Sequence, residues 1–148
     1  MSDAVAYKRR LAEIKDQIKT MARNNTAVQA TTTWQVNNSL AQGRKMVRDF
    51  SKLMLRAYNA EADTLVRGLK PHRLHSAIDR LNKTVETIAR LGKTMDIRIS
   101  PAYHAVRLTE LRLTADYLAK VEEEKERVRE ERERQREEER ARREFERE

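Results

Sequence analysis

The chain has 148 residues, of which 38% are charged, with 2 Phe, 1 Trp and a net charge of +8. Such a composition excludes a large globular core, and 3 Gly and 2 Pro exclude a turn-rich β architecture or a Gly-rich phosphate loop. The absence of Cys rules out a disulfide, a thiolate metal site and a Cys nucleophile, and fits a cytoplasmic chain; no apolar run is long enough for a membrane span.

Tyr7, Leu11, Ile14, Ile18 and Met21 recur at alternating spacings of four and three, the rhythm of a coiled-coil seam, and Asn25 and Val28 continue it. This predicts an N-terminal coiled-coil helix over residues 1–33 and self-association through it. Asn24, Asn25 and Thr31 to Thr33 are weak helix formers, so a break is expected between Asn24 and Trp34. A second helix is expected from about Trp34, with Val36, Leu40, Val47, Phe50, Met54 and Ala57 in the same rhythm. Gly43 on that seam would let another helix approach closely. Gly68 to Pro71 should end it.

SKLMLRAYNAEAD, Ser51 to Asp63, is the centre of this helix. At 100° per residue, Lys45, Arg48, Lys52, Arg56, Asn59 and Asp63 fall in one polar stripe. Val47, Phe50, Leu53, Met54, Ala57, Tyr58 and Leu65 fall opposite, which predicts a mostly buried helix. Glu61 falls among the apolar residues, where a carboxylate needs a partner.

Leu74, Ile78, Leu81, Val85 and Ile88 predict a third amphipathic helix, stopped by Gly92. Lys93 to Ile99 reads as an extended or irregular connector, with Ile97 and Ile99 alternating around Arg98. Ser100 followed by Pro101 is a strong helix start. The fourth helix carries a wide apolar arc from Tyr103 to Val121, with Arg107 and Glu110 inside it.

Beyond Val121 the apolar positions nearly vanish. Glu123 with Arg127, Glu130 with Arg134, Glu138 with Arg142 and Glu139 with Arg143 place Glu four residues before Arg. Each such pair contributes about 0.2–0.5 kcal/mol to an isolated helix, so a self-supporting helix of roughly 40 Å is expected. The pattern runs to Glu148 without a terminator, so a longer natural chain is expected.

The fold class is all-α: an elongated helical bundle or coiled coil, with an N-terminal helix (1–33), a helical core (34–121) and a long charged C-terminal helix (122–148). Residues 1–120 carry 22 Lys+Arg against 11 Asp+Glu, and residues 121–148 carry 10 against 13. The basic part is thus the folded part. A basic body points to an anionic partner such as DNA, or simply to solubility.

Lys45, Arg48, Lys52 and Arg56 span about 17 Å of helix and are the candidates for contacting DNA phosphates. The structural alternative pairs them with an acid from another helix, Glu110 above all. Arg56, Asn59, Glu61, Arg107 and Glu110 are the candidates for an internal polar network that fixes helix register. His72 and His75 lie three apart without a third ligand, so no metal or cofactor site is assigned. Trp34 and Tyr58 lie on apolar faces and are assigned to the core rather than to base stacking. No catalytic constellation is assigned.

SKLMLRAYNAEAD, together with RLNKTVETIARLGK (Arg80 to Lys93), IRISPAYHAVRLTELRL (Ile97 to Leu113) and REERERQREEERARREFERE (Arg129 to Glu148), resembles the SNIPE-associated domain. That helical family is found N-terminal to a GIY-YIG nuclease domain in bacterial antiphage and phage proteins, and the resemblance covers roughly residues 7–148. No GIY-YIG pair or catalytic Arg and Glu pattern of that nuclease can be placed here. The resemblance therefore implies a non-catalytic recognition and targeting module that binds DNA or a phage or host protein. The charged tail would be its connecting rod. The alternative is a coiled-coil spacer that dimerises through its N-terminal or C-terminal helices and binds no ligand. Family members associated with membranes imply a place at the inner membrane face, through a segment outside this chain.

Overall fold

The computed structural model describes residues 3–147. It is all-α, with four helices: α1 (Asp3–Arg23), α2 (Leu40–Arg67), α3 (Leu74–Leu91) and α4 (Pro101–Arg147). One small antiparallel ladder joins β1 (Val28–Gln29) to β2 (Arg98–Ile99), pairing Val28 with Ile99 and Gln29 with Arg98. None of these helices is long and apolar enough to cross a membrane.

The N-terminal seam is closed within the chain. Leu11 and Ile18 are buried, and α1 lies along α4. Asp3 meets Lys120 at 3.6 Å at one end of this contact, and Ser100 N donates to Ala27 O at 2.8 Å at the other. The two helices therefore run antiparallel. This N-terminal segment shares one core with the rest, since Ile18 and Ala27 cluster with Tyr58, Leu81, Tyr103 and Leu111. Self-association through this stripe would require α1 to leave α4. Asn25 and Val28 do not continue the helix: α1 ends at Arg23, Asn25 has a left-handed φ of 60°, and Val28 lies in the ladder.

The helix expected from Trp34 begins instead at Leu40. Asn37 and Asn38 both take left-handed φ values, 52° and 63°, and Val36 and Ser39 exchange backbone hydrogen bonds across them. Such a turn suits Asn, whose short polar side chain tolerates this region. Ser39 then caps α2, its Oγ accepting from Gln42 N at 3.2 Å. Gly43 does permit a close approach, but by a loop rather than a helix: a Cβ there would lie 1.8 Å from Trp34 O.

The other boundaries follow the expectations. Gly68 and Gly92 follow the last residues of α2 and α3, and the Lys93–Ile99 connector places Ile97 and Ile99 inside with Arg98 outside. Ser100 Oγ accepts from Tyr103 N at 3.0 Å at the start of α4. Tyr58 and Tyr103 are fully buried at the centre, with tilted rings 5.8 Å apart. Such a pair adds about 0.5–1.5 kcal/mol beyond its area.

α2 is less buried than its wheel predicts. Val47, Tyr58 and Ala62 face the core, but Phe50 is 38% and Leu53 61% exposed, and Ala57 is exposed too. α4 continues past Val121 as one unbroken helix. Arg127 pairs with Glu123 and Arg143 with Glu139 as expected, whereas Arg134 takes Glu131 rather than Glu130.

Candidate nucleic-acid interface

A groove follows α2 on the side facing α1. Its first section, about 410 Å³, lies between Ala22, Asn25, Ala27 and Val28 on one wall and Arg48, Ser51, Lys52 and Leu55 on the other. Lys52 and Leu55 also line a shallower section of about 450 Å³, with Arg56, Asn59, Ala60 and Asp63. Asn59 and Asp63 pass into a third, of about 460 Å³, where Lys15 and Lys19 of α1 face Arg67. From Arg48 to Arg67 the helix rises about 28 Å. These shared residues place the three sections end to end along α2.

Lys45, Arg48, Lys52 and Arg56 are all exposed, and none has an ion pair among the described residues. Glu110, the acid expected to neutralise them, is buried elsewhere against Arg107. Arg48, Lys52 and Arg56 line the groove; Lys45 lies a turn beyond its first section. Like charges four residues apart repel mildly on a helix, so leaving Arg48, Lys52 and Arg56 unpaired in sequence favours an anion over them.

A polar network forms the wall of the third section. Arg107, 4% exposed, places Nη2 2.6 Å from Asp63 Oδ1 and donates to Asn59 O at 3.4 Å. Its Nη1 lies 3.2 Å from Glu110 Oε1, close enough for Coulomb attraction but not aligned as a hydrogen bond; that oxygen and Arg107 Nε are buried without hydrogen-bond partners. Burial raises the Glu110 pKa, against the pull of Arg107. Burial works against the Arg107 charge, but Asp63 and Glu110 outweigh it and hold its pKa above the ordinary value.

Three further bonds tie α2 and α3 to α4. Tyr103 OH donates to Asn59 Oδ1 at 2.7 Å. His104 sits between Tyr58 OH, 2.8 Å from Nδ1, and Asn82 Oδ1, 2.7 Å from Nε2. With Asn82 Oδ1 as acceptor, Nε2 carries the proton and Nδ1 accepts from Tyr58. Burial lowers the His104 pKa, which favours this neutral form, and raises that of Tyr58.

Of the residues expected to form the internal network, Asn59, Arg107 and Glu110 come together. Arg56 is exposed in the groove, and Glu61 pairs with the exposed Arg80 at 3.2 Å on the opposite side of α2. Asp63, Tyr58, Asn82, Tyr103 and His104 were not expected in it. His75 contacts Asp79 at 3.5 Å on an exposed face of α3. Trp34 is partly buried beside Gly43.

Neither curated proteins nor solved structures gave a match to this chain. The family model described as the SNIPE associated domain matches residues 4–122, which takes in α1, α2, α3 and the core-packed part of α4 and leaves the charged tail outside. The segments singled out between Ser51 and Leu113 all lie within that match, and the chain belongs to the SNIPE associated domain family.

Proposed function

We propose that this chain is a non-catalytic recognition module of an antiphage DNA nuclease, and that it holds nucleic acid along the α2 groove. The observation that carries this reading is the unpaired row Arg48, Lys52 and Arg56 in a groove whose far end adds Lys15, Lys19 and Arg67. Neutralising about four phosphates gives a slope near −4 in log affinity against log salt, or roughly two orders of magnitude between 50 and 200 mM. The family's link to a GIY-YIG nuclease supplies the rest of the proposal: binding here, cutting in a separate domain.

The test is binding of the purified chain to labelled duplex and single-stranded DNA across a salt series, beside an Arg48→Glu, Lys52→Glu variant. Circular dichroism serves as the folding control. Steep salt dependence with a loss of at least about tenfold in the folded variant is expected. No binding at low salt overturns the nucleic-acid reading.

The competing reading is a structural spacer that sets the separation of two protomers. The continuous 47-residue α4, with its charged outer half, is the observation that favours it. A spacer keeps its function after charge reversal at Arg48 and Lys52, so the same variant separates the two readings.

A further inference from the structure

Three of the large apolar side chains left exposed, Phe50 and Leu53 on α2 and Leu91 on α3, fall at matching levels of the α2–α3 hairpin, on the side of α2 away from the groove. Glu61 meets Arg80 of α3 across the outside of the hairpin that the short 68–73 connection makes antiparallel. Eleven residues back along α2 is Phe50, and eleven forward along α3 is Leu91, each about 16 Å from that ion pair. Eleven residues also return a helix to within about 20° of its starting direction. Phe50 therefore points as Glu61 does, Leu91 as Arg80 does, and the two flank one seam. Leu53 and Ala57 lie between Phe50 and the ion pair, and Phe50, Leu53 and Leu91 are 38%, 61% and 69% exposed.

Cations border this seam on both edges. Lys45 and Arg56 follow the α2 edge, Arg56 being shared with the groove, and Lys83 and Arg90 follow the α3 edge; all four are exposed without ion pairs among the described residues. The acids on these flanks are Asp49, Asp79 beside His75, and Glu86, while Glu61 is held by Arg80. Each alternative occupant meets half of the surface. A second copy docking by the same face would set these cations against its own, whereas duplex DNA would meet the cations but leave three large apolar side chains against sugar and phosphate.

We infer that the Phe50–Leu53–Leu91 seam is a docking surface for an acidic amphipathic helix of a partner protein. An apolar stripe at i, i+3, i+4 and i+7 fills the seam, and Asp or Glu on both sides of that stripe meet the two basic edges. A partner helix of three to four turns matches the seam's length. This surface lies on a different side of α2 from the proposed nucleic-acid groove and shares Arg56 with its margin.

The probe is a fluorescein-labelled helical peptide of about fifteen residues, with Leu along one face and Glu on both flanks. Anisotropy is measured with the wild-type chain, a Leu53→Ser, Leu91→Ser variant and a Lys83→Glu, Arg90→Glu variant, with circular dichroism on each. All four substituted positions are exposed, and none lines the groove. The wild type is expected to bind, each variant to weaken binding at least about tenfold, and a Lys-flanked peptide not to bind. Failure of the Glu-flanked peptide to bind overturns the inference, as does equal binding to the Leu53→Ser, Leu91→Ser variant. Loss of DNA or anionic-vesicle binding in that variant, with no peptide binding to the wild type, reassigns the seam to that ligand. A chain that binds the peptide but no DNA leaves this surface standing and removes only the groove reading.

Discussion

Arg107 is the residue through which the two longest helices, α2 and α4, are held together. Its guanidinium, buried at 4% exposure, joins Asp63 and the Asn59 carbonyl on α2 to Glu110 on its own helix. Removing one partner of a buried pair leaves a charge without compensation and costs about 3–5 kcal/mol, whereas replacing both by apolar groups is often neutral or stabilising. Asp63 is 56% exposed, so water tempers the penalty at that end, but Glu110 has no such relief. Arg107→Ala is accordingly expected to lose about 3 kcal/mol in urea unfolding, and Arg107→Met with Glu110→Leu to recover most of it. Glu61→Gln should change stability by less than about 0.5 kcal/mol, because its partner Arg80 is exposed. Equal losses for Arg107→Ala and Glu61→Gln would remove Arg107 from its central place. Arg107 and Glu110 were legible in the sequence because charges on an apolar arc need partners. Asp63 was not, because a helical wheel gives a direction and does not say which helix lies there. Tyr103 read as an ordinary member of the α4 arc and His104 was given no role, and only the packing of α2 and α3 onto α4 brings Asn59, Tyr58 and Asn82 to them.

At the scale of elements, periodicity was reliable for the helices themselves and weaker for what meets them. The four-three rhythm of Tyr7 to Met21 is the same whether the facing helix belongs to another chain or, as here, is α4. The start of α2 was misplaced because Val36 and Leu40 keep the helical spacing, while the turn at Asn37 and Asn38 breaks the backbone without disturbing it. What holds that turn's segment in place is Gly43, where the backbone of Trp34 and Gln35 occupies the space a side chain would need. Gly43→Ala forces that loop off α2. The alanine's better helix propensity, about 1 kcal/mol, is outweighed by overpacking of about 1–3 kcal/mol against backbone that has no rotamer to change. The expected result is a net loss of stability and a red-shifted emission from Trp34, the one tryptophan in the chain. Unchanged emission with increased stability would show that the loop can move aside without cost.

The whole molecule is a bundle with a rod leaving it. α1 begins beside Lys120, and from residue 127 to 147 every side chain of α4 is exposed. Nothing apolar holds those turns, so their order rests on helix propensity and ion pairs such as Glu123 with Arg127 and Glu139 with Arg143. Each exposed pair contributes only about 0.2–0.5 kcal/mol, and nucleation is supplied by the core-packed half of the same helix. Because the chain has no Cys, spin labels at Glu122→Cys and Phe145→Cys report this segment alone. A continuous helix places the two backbone positions about 35 Å apart with a narrow distribution. A flexible chain of the same length centres near 26 Å and spreads widely. The narrow distance is expected at low salt, with a broader shoulder at about 1 M salt, where screening weakens the exposed pairs. A broad short distribution at every salt would leave the tail as a tether, and a ligand held in the α2 groove would then have no fixed orientation relative to anything joined beyond α4. A narrow one makes the bundle's grip on its ligand set the position of the far end of the rod.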